Sequence, residues 1–222
     1  MIRGISINDK FKPIFVKSKT TGGHYAFKTE KALKPFQNNM RECKSIKLIE
    51  SDIIADIGAY VGEYSILASK SKAKKILSYE PTPQTFKILK QNATPKMHIF
   101  NLAVVGDNRQ YVDLFISKGI GVTNSIEKSK NKQGQIRVKT IRYEEAVKDA
   151  TVVKIDVEGA EYSYNILQPQ LRAIILEFHP IVQKPWRIWA ENIINKIESA
   201  GFKSIIKPTF ESGWNLTGSW EK

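Results

Sequence analysis

An acidic residue and two glycines follow an apolar run in the stretch Asp52–Ser65. The run ends at Asp56, Gly58 comes two residues later, and Gly62 precedes a segment of helical character. A strand, a glycine turn and a helix in this order form the usual entry of a nucleotide-type ligand into an open α/β sheet. A carboxylate before the first glycine would repel a pyrophosphate, so this stretch predicts a cationic ligand near Asp56.

Each glycine has a predicted purpose in that turn. Gly58 allows a tight turn without a Cβ clash. Gly62 is expected to let the start of the helix lie close to the bound ligand. A helix N-terminus also presents free N–H groups and the positive end of the helix dipole. These features together predict that the turn forms one wall of a ligand site.

A second acidic residue, Glu80, ends the predicted strand Lys75–Glu80. It lies about twenty residues beyond the glycines, which is the spacing that a βαβ unit sets between a glycine turn and a ribose-binding acid. A carboxylate there can accept hydrogen bonds from the hydroxyl groups of an adenosine ribose. The alternative, that Glu80 only interacts with the dipole of the next helix, stays open at this stage.

Three further candidates lie at the ends of two later strands. Asp156 and Glu158 follow the apolar strand in VVKIDVEGAEY, and His179 ends the strand in IILEFHP. The carboxyl ends of parallel strands meet at one edge of an open α/β sheet, where ligands bind. We therefore expect these side chains to lie together. The simpler alternatives are helix-capping carboxylates and a structural histidine.

Two charged residues lie inside otherwise apolar strands. Lys154 has the only positive charge of its strand, and Glu177 has the only negative charge of the next one. Buried charges need partners. The pattern predicts a cross-strand ion pair between Lys154 and Glu177, whose disruption from one side costs about 3–5 kcal/mol.

Strands and helices alternate along most of the chain, which predicts a parallel sheet with helices on both faces. The predicted parallel strands are 53–57, 75–80, 97–105, 151–156 and 172–179. The predicted helices are 60–70, 83–92 and 186–200, the last of which stops at Gly201. Segments 110–117 and 135–141 are predicted to form two antiparallel strands joined by a long polar loop. Segments 203–207 and 214–220 are predicted to form the two final strands.

The chain is divided into two predicted parts. Residues 1–49 are predicted to form a small basic cap, made of a hairpin over 12–28 and a helix over 30–49. Residues 50–222 are predicted to form the main α/β domain. The net charge is +13, and residues 1–50 hold 11 Lys and Arg against 4 Asp and Glu. This excess predicts either solvated lysines or attraction of an anionic partner, including nucleic acid.

The single cysteine, Cys43, excludes an internal disulfide and indicates a reducing compartment. No apolar run has the length of a signal sequence or a membrane span. We therefore expect a cytoplasmic protein without a membrane span.

Four segments resemble, in this order, those of FkbM-type methyltransferases: DIGAYVGEYS, YEPTPQTFKILKQN, NLAVVGD and VVKIDVEGAEYSYNIL. That family consists of class I S-adenosylmethionine-dependent enzymes that mostly methylate hydroxyl groups. The resemblance covers residues 50–180, although the family's glycine loop has Asn where this chain has Tyr60. It implies a Rossmann-like, doubly wound, mostly parallel seven-stranded sheet with a small N-terminal extension.

The resemblance also implies residue roles. Asp56 would lie near the cationic methionine end of S-adenosylmethionine, Glu80 would hold the ribose, and Ala103 would lie by the adenine. The implied cofactor-binding set is Asp56, Gly58, Ala59, Gly62, Ser65, Glu80, Ala103 and Asp156. The implied catalytic set is Asp156, Glu158 and His179, which would face the transferred methyl group and the acceptor hydroxyl.

The expected reaction is in-line displacement of sulfur by an oxygen atom. An alcohol is a poor nucleophile until its proton is taken or polarised, and His179 or Asp156 is the predicted base. A dedicated metal site is not predicted. The alternative that Asp156 and Glu158 hold a divalent ion, which lowers the hydroxyl pKa, stays open.

The predicted acceptor is a hydroxyl group of a sugar, glycan or small molecule, and the charge of the chain favours an anionic saccharide. Three other functions compete with this one. A nicotinamide oxidoreductase would need a G-x-G-x-x-G turn, and Asp56 would repel its phosphates. A methyltransferase for RNA ribose would use the basic surface, although aromatic residues for base stacking do not interleave it. A non-catalytic module would bind the cofactor without turnover.

Overall fold

The computed structural model describes residues 14–17, 24–27, 45–117, 132–181, 184–208 and 216–222. Seven strands in these ranges form the main sheet: β3 (Ile53–Ile57), β4 (Lys75–Tyr79), β5 (Met97–Phe100), β9 (Val152–Ile155), β10 (Ala173–Phe178), β11 (Lys203–Ile206) and β12 (Leu216–Glu221). Their spatial order is β11-β12-β10-β9-β3-β4-β5. Strand β12 is antiparallel to both of its neighbours, and the strands from β10 to β5 are parallel. The predicted seven-stranded, mostly parallel sheet is confirmed.

The direction of winding reverses between β3 and β9. Strands β3, β4 and β5 follow one another from the centre of the sheet to one edge. The chain then crosses back, and β9 lies on the other side of β3. Such a reversal opens a crevice beyond the carboxyl ends of the two central strands, which is where open α/β sheets bind ligands. The predicted residues Asp56, Glu80, Asp156 and His179 lie at or just beyond the carboxyl ends of these parallel strands.

Helices connect the strands. They are α1 (Glu63–Ser69), α2 (Pro83–Asn92), α3 (Tyr143–Ala146), α4 (Trp186–Ser199) and a 3-10 helix (Ala160–Ser163). Helix α1 begins later than predicted because Tyr60 and Gly62 take left-handed φ angles of 51° and 93°. Helix α4 ends just before Gly201, whose φ of 87° stops it as predicted. Among the described residues, the helices are too short or too polar to cross a membrane.

Both faces of the central sheet are buried. Along β3, Ile54 packs into one hydrophobic cluster, whereas Ala55 and Ile57 pack into the cluster on the opposite face. Along β9, Val152 and Val153 divide between the two faces in the same way. The period of two in a strand therefore gives a sheet with a core on each side.

A second, three-stranded sheet contains β6 (Ala103–Val105), β7 (Tyr111–Ser117) and β8 (Lys132–Arg142). The predicted strand 97–105 is therefore two strands that belong to different sheets. It breaks where Asn101 turns its side-chain amide onto the carbonyl oxygens of Glu80 and Pro81, at 2.8 and 2.9 Å. The antiparallel pairing of β7 with β8 confirms the predicted excursion; residues 118–131 of its loop lie outside the described ranges.

The predicted N-terminal hairpin is present as the antiparallel pair β1 (Ile14–Lys17) and β2 (His24–Phe27). Strand β2 contacts α2 of the main domain. Residues 28–44 of the predicted helix lie outside the described ranges, and residues 45–49 are not helical. Ile46 is buried in the core and Arg172 donates to the carbonyl of Lys47, which holds this stretch against the sheet.

Candidate active site

The carboxylate of Asp56 lies beneath the crevice, not in it. Asp56 is fully buried. Ser65 donates its hydroxyl to Oδ2 at 2.5 Å, and Lys154 Nζ lies 3.7 Å from Oδ1. Burial raises the pKa of Asp56, while Lys154 and Ser65 act in the opposite direction. A carboxylate without accessible surface does not touch a ligand directly, and its predicted place near the cationic methionine end of the cofactor stays a prediction.

Ser65 also lies within the protein. Its hydroxyl is 2.7 Å from that of Ser78 on β4, and both residues are fully buried. Ser65 thus supports Asp56 from below. Its predicted membership of the cofactor-binding set stays a prediction.

The two glycines make room for protein atoms. A Cβ on Gly58, whose φ is +80°, would lie 1.7 Å from the carbonyl oxygen of Asp156. A Cβ on Gly62 would lie 2.7 Å from Leu89 Cδ1 of α2. Gly58 therefore allows the turn after β3 to contact the end of β9 closely. At Gly62, the space that was expected to admit a ligand is instead occupied by Leu89 of α2.

Glu80 follows β4 at the carboxyl edge of the sheet and is only 5% exposed. Its Oε2 accepts the backbone N–H of Tyr60 at 3.0 Å, and its Oε1 accepts that of Thr82 at 2.8 Å. Burial raises the pKa of Glu80 to about 7, although these hydrogen bonds act against the shift. The turn after β3 is thereby tied to the end of β4, with a carboxylate held between them.

The two predicted alanines are buried. Ala59 is 4% exposed and donates its N–H to the carbonyl of Tyr79 at 2.9 Å. Ala103 begins β6 and packs with Val112, Leu114 and Val138 in the core of the small sheet. Contacts of these two residues with a cofactor stay predictions.

Lys154 is paired with two aspartates. Its Nζ lies 3.0 Å from Oδ2 of Asp156 and 3.7 Å from Oδ1 of Asp56. The strand register places Lys154 directly opposite Asp56 on β3, whereas its neighbour on β10 is Ile175. The sequence predicted Glu177 as the partner of Lys154. The strand register instead places Lys154 beside the two aspartates. The carboxylate of Glu177 lies 3.7 Å from His179 Nε2.

Four carboxylates surround the imidazole of His179, which is 5% exposed. Nε2 lies 3.5 Å from Asp156 Oδ1, 3.7 Å from Glu158 Oε1 and 3.7 Å from Glu177 Oε1. Nδ1 lies 3.3 Å from Glu161 Oε1. The structure therefore brings the three predicted catalytic residues together, as expected from the ends of adjacent strands.

Glu161 belongs to this group and was missed in the sequence. It is fully buried, and its carboxylate accepts the backbone N–H groups of Gly159 at 2.8 Å and His179 at 2.7 Å. It therefore joins the 3-10 helix to the end of β10. A signal was present in the sequence, because Glu161 lies in the same VEGAEY segment as Glu158, two residues beyond Gly159.

The protonation of His179 argues against its predicted role as the base. Burial alone would lower the pKa of His179, but Glu161, Glu158 and Asp156 raise it to about 10. The ring therefore holds its proton at neutral pH, and in this state it acts as a cation among carboxylates. A group that already carries a proton cannot accept one from an acceptor hydroxyl.

The two carboxylates beyond β9 differ. Burial opposes ionisation of Asp156, but Lys154 and His179 lower its pKa below the ordinary value. Burial raises the pKa of Glu158 to about 7 against the influence of His179. Glu158 also adopts a left-handed φ of 56°, which is unusual outside glycine and is typical of functional sites. Both side chains keep partial exposure, 32% and 27%, so ligands can reach them.

Comparison with known folds supports the architecture. Trm5b from Pyrococcus abyssi matches with 12% identity and a TM-score of 0.53, over all of this chain and 61% of that one. TYW2 from P. horikoshii, solved in complex with MeSAdo, matches with 13% identity and a TM-score of 0.52, over 94% of this chain and 70% of that one. The chain thus spans less than two thirds of the Trm5b chain. At such low identity these likenesses show the fold.

The family comparison reaches further. No curated protein matches the sequence. The model of the methyltransferase FkbM domain matches residues 56–204, which extend from Asp56 of the glycine turn into β11 and include every predicted site residue. The match confirms the resemblance seen in the four segments. The chain therefore belongs to the FkbM methyltransferase domain family.

Proposed function

We propose that this protein is an O-methyltransferase that transfers a methyl group from S-adenosylmethionine to a hydroxyl of a sugar, glycan or small molecule. The family makes the chain an S-adenosylmethionine-dependent methyltransferase. The observation that supports oxygen as the acceptor atom is the pair of partly exposed carboxylates, Asp156 and Glu158, at the end of β9. A hydroxyl needs such a group to take its proton as it reacts.

The residues at the ends of β3 and β4 fit the cofactor. S-adenosylmethionine supplies a methyl group bound to a cationic sulfur. A carboxylate accepts about four hydrogen bonds, and Tyr60 N–H, Thr82 N–H and the Thr82 hydroxyl account for three at Glu80. The remaining capacity suits a ribose hydroxyl, and the two backbone donors fix the carboxylate in place.

The residues at the ends of β9 and β10 are assigned to the acceptor. Lys154 holds Oδ2 of Asp156 and leaves Oδ1 directed toward His179. One of the two carboxylates, Asp156 or Glu158, takes the single proton of the hydroxyl, and the positive charge of His179 offsets part of their negative charge. Asp56 contributes indirectly, because its negative charge positions Lys154.

The acceptor carries negative charge in this proposal. The net charge of the chain is +13, and the excess is concentrated outside the carboxylate cluster. A basic surface raises the local concentration of anionic molecules by long-range attraction. An acidic or phosphorylated saccharide fits this balance, since its hydroxyl groups can approach Asp156 while its charged groups stay on the basic surface.

The test is transfer of a labelled methyl group. The protein is incubated with methyl-labelled S-adenosylmethionine and fractions of acidic glycans, small metabolites and RNA. We expect label in a saccharide or metabolite fraction, in a form that resists mild alkali as an ether does and an ester does not. The site variant is Asp156→Asn, which should slow transfer about 10²–10⁴-fold, and its matched control is the exposed Asp149→Asn, which should retain transfer.

Two results would overturn the proposed acceptor. Nuclease-sensitive label in RNA would show that the basic surface serves a nucleic-acid substrate. Uptake of the cofactor without transfer to any fraction would favour a non-catalytic binding module.

A further inference from the structure

We propose that Asp156, Glu177 and His179 bind a first-row divalent cation, for which Mn²⁺ is the probe. One oxygen of each carboxylate and one ring nitrogen of the histidine all lie within 4.8 Å of one another. The three residues come from two adjacent parallel strands, at the edge of the sheet where the acceptor is expected. The cluster thus combines oxygen and nitrogen donors at the ends of two paired strands of the main sheet.

The distances in the cluster suit a shared ion better than direct contact. His179 Nε2 is 3.5 Å from Asp156 Oδ1 and 3.7 Å from Glu177 Oε1, both longer than a normal charge-assisted hydrogen bond. Ligands about 2.1 Å from a metal in tetrahedral geometry lie about 3.4 Å apart. Small side-chain movements therefore bring the three donor atoms to ligand spacing around one ion.

The histidine is oriented as metal-binding histidines are. Its imidazole is more than nine-tenths buried, and Nδ1 lies 3.3 Å from Glu161 Oε1. A histidine that binds a metal through one nitrogen usually directs the other toward a carboxylate or carbonyl oxygen. Glu161, itself held by two backbone N–H groups, is that carboxylate here. Nε2 is thereby aimed into the cluster.

Asp156 is oriented in a similar way. Lys154 binds Oδ2 at 3.0 Å, which leaves Oδ1 toward His179. The carboxylates of Asp156, Glu158, Glu161 and Glu177 all lie within 3.7 Å of the one imidazole ring. A divalent cation among them offsets more negative charge than the single proton that it replaces on the ring.

The donor set indicates the kind of metal. Imidazole nitrogen favours transition metals such as zinc and iron, while carboxylate oxygen also suits manganese. Calcium and magnesium prefer oxygen donors throughout. One histidine with two carboxylates therefore predicts Mn²⁺ or Zn²⁺ binding tighter than Mg²⁺ binding.

This inference deepens the proposed function, on which its catalytic meaning rests. A divalent ion polarises a bound hydroxyl and lowers its pKa. With Asp156 engaged as a ligand, Glu158 is left as the group that takes the hydroxyl proton. Metal binding itself can be measured without an acceptor.

The experiment titrates the metal-free wild-type protein with Mn²⁺ and follows free Mn²⁺ by electron paramagnetic resonance. The site variants are Glu177→Gln and His179→Gln. Their matched controls are Glu191→Gln on α4 and His98→Gln on β5, both of which are exposed. Binding of S-adenosylhomocysteine in the same samples shows that each variant is folded.

We expect one Mn²⁺ per wild-type chain, at least about tenfold weaker binding in each site variant, and unchanged binding in the controls. Wild-type protein that binds S-adenosylhomocysteine but not Mn²⁺ would overturn the metal site and leave the proposed function standing. Equal Mn²⁺ binding in wild type and the site variants would also overturn it. Specific Mn²⁺ binding without methyl transfer to any acceptor would instead count against the proposed function.

Discussion

The carboxyl ends of the central strands form two regions with different electrostatics. At the ends of β3 and β4, protein donors hold each carboxylate: Ser65 and Lys154 bind Asp56, and two backbone N–H groups bind Glu80. At the ends of β9 and β10, four carboxylates surround one imidazole at 3.3–3.7 Å. In the first region, protein donors compensate each carboxylate, whereas the second region holds more negative charge than its histidine offsets. This difference suggests that the first region binds the methyl donor and that the second region takes up protons and binds cations.

Asp156→Asn tests the second region with the largest expected effect. The neutral amide can neither take the hydroxyl proton nor serve as an anionic metal ligand, so the rate of methyl transfer should fall about 10²–10⁴-fold. The measurement is the rate of label transfer to the acceptor fraction at saturating cofactor. A rate within about threefold of that of Asp149→Asn would contradict the assigned role.

Lys154→Met tests the link between the regions. The change leaves the fully buried Asp56 without its cation, so the free energy of unfolding should fall by about 3–5 kcal/mol. Denaturant titration measures the loss. The double variant Asp56→Asn with Lys154→Met removes both charges and should recover much of the stability; an unchanged midpoint in Lys154→Met alone would disprove the pairing.

The affinity for S-adenosylhomocysteine tests the first region through pH. The pKa of Glu80 is raised to about 7, so the carboxylate is mostly ionised at pH 8 and mostly protonated at pH 6. The ionised form is the better acceptor for a ribose hydroxyl, and affinity should therefore fall about five- to tenfold from pH 8 to pH 6. Glu80→Gln should bind more weakly at pH 8 and lose this dependence; a variant that keeps the same pH profile would assign the effect to another group.

Glu158→Gln gives the smallest expected effect on stability and sharpens the contrast between the two regions. It removes one of several like charges around His179, so the free energy of unfolding should rise by about 0.5–1 kcal/mol. The exposed Glu191→Gln is the control and should change stability by less. A clear loss of stability in Glu158→Gln would mean that its carboxylate stabilises the fold as those of the first region do.

Local patterns in the sequence determine much of the fold. The apolar run 53–57 and the Pro83 start of α2 appear in the structure at the predicted bounds, because strand period and helix-start signals act over few residues. The break at Asn101 was not predictable in this way. It depends on carbonyl oxygens twenty residues away, which only the folded chain brings near.

The site was predictable as a set of residues but less so in its contacts. Strand ends identified Glu80, Asp156, Glu158 and His179, since parallel strands bring their carboxyl ends to one edge. The partner of Lys154 depends on strand order and register, which place Asp56 opposite it. The burial of Asp56 likewise depends on tertiary packing, in which Ser65 of α1 donates to its carboxylate, and the sequence alone does not distinguish a buried acid from an exposed one.

Calorimetric titration with S-adenosylhomocysteine tests the central claim most directly, namely that the ends of β3 and β4 bind the methyl donor. The account predicts uptake of one molecule per chain, binding about tenfold weaker in Glu80→Gln, and nearly unchanged binding in Glu177→Gln. Folded wild-type protein that takes up no S-adenosylhomocysteine, or a Glu80→Gln variant that binds it as tightly as wild type, would contradict the account.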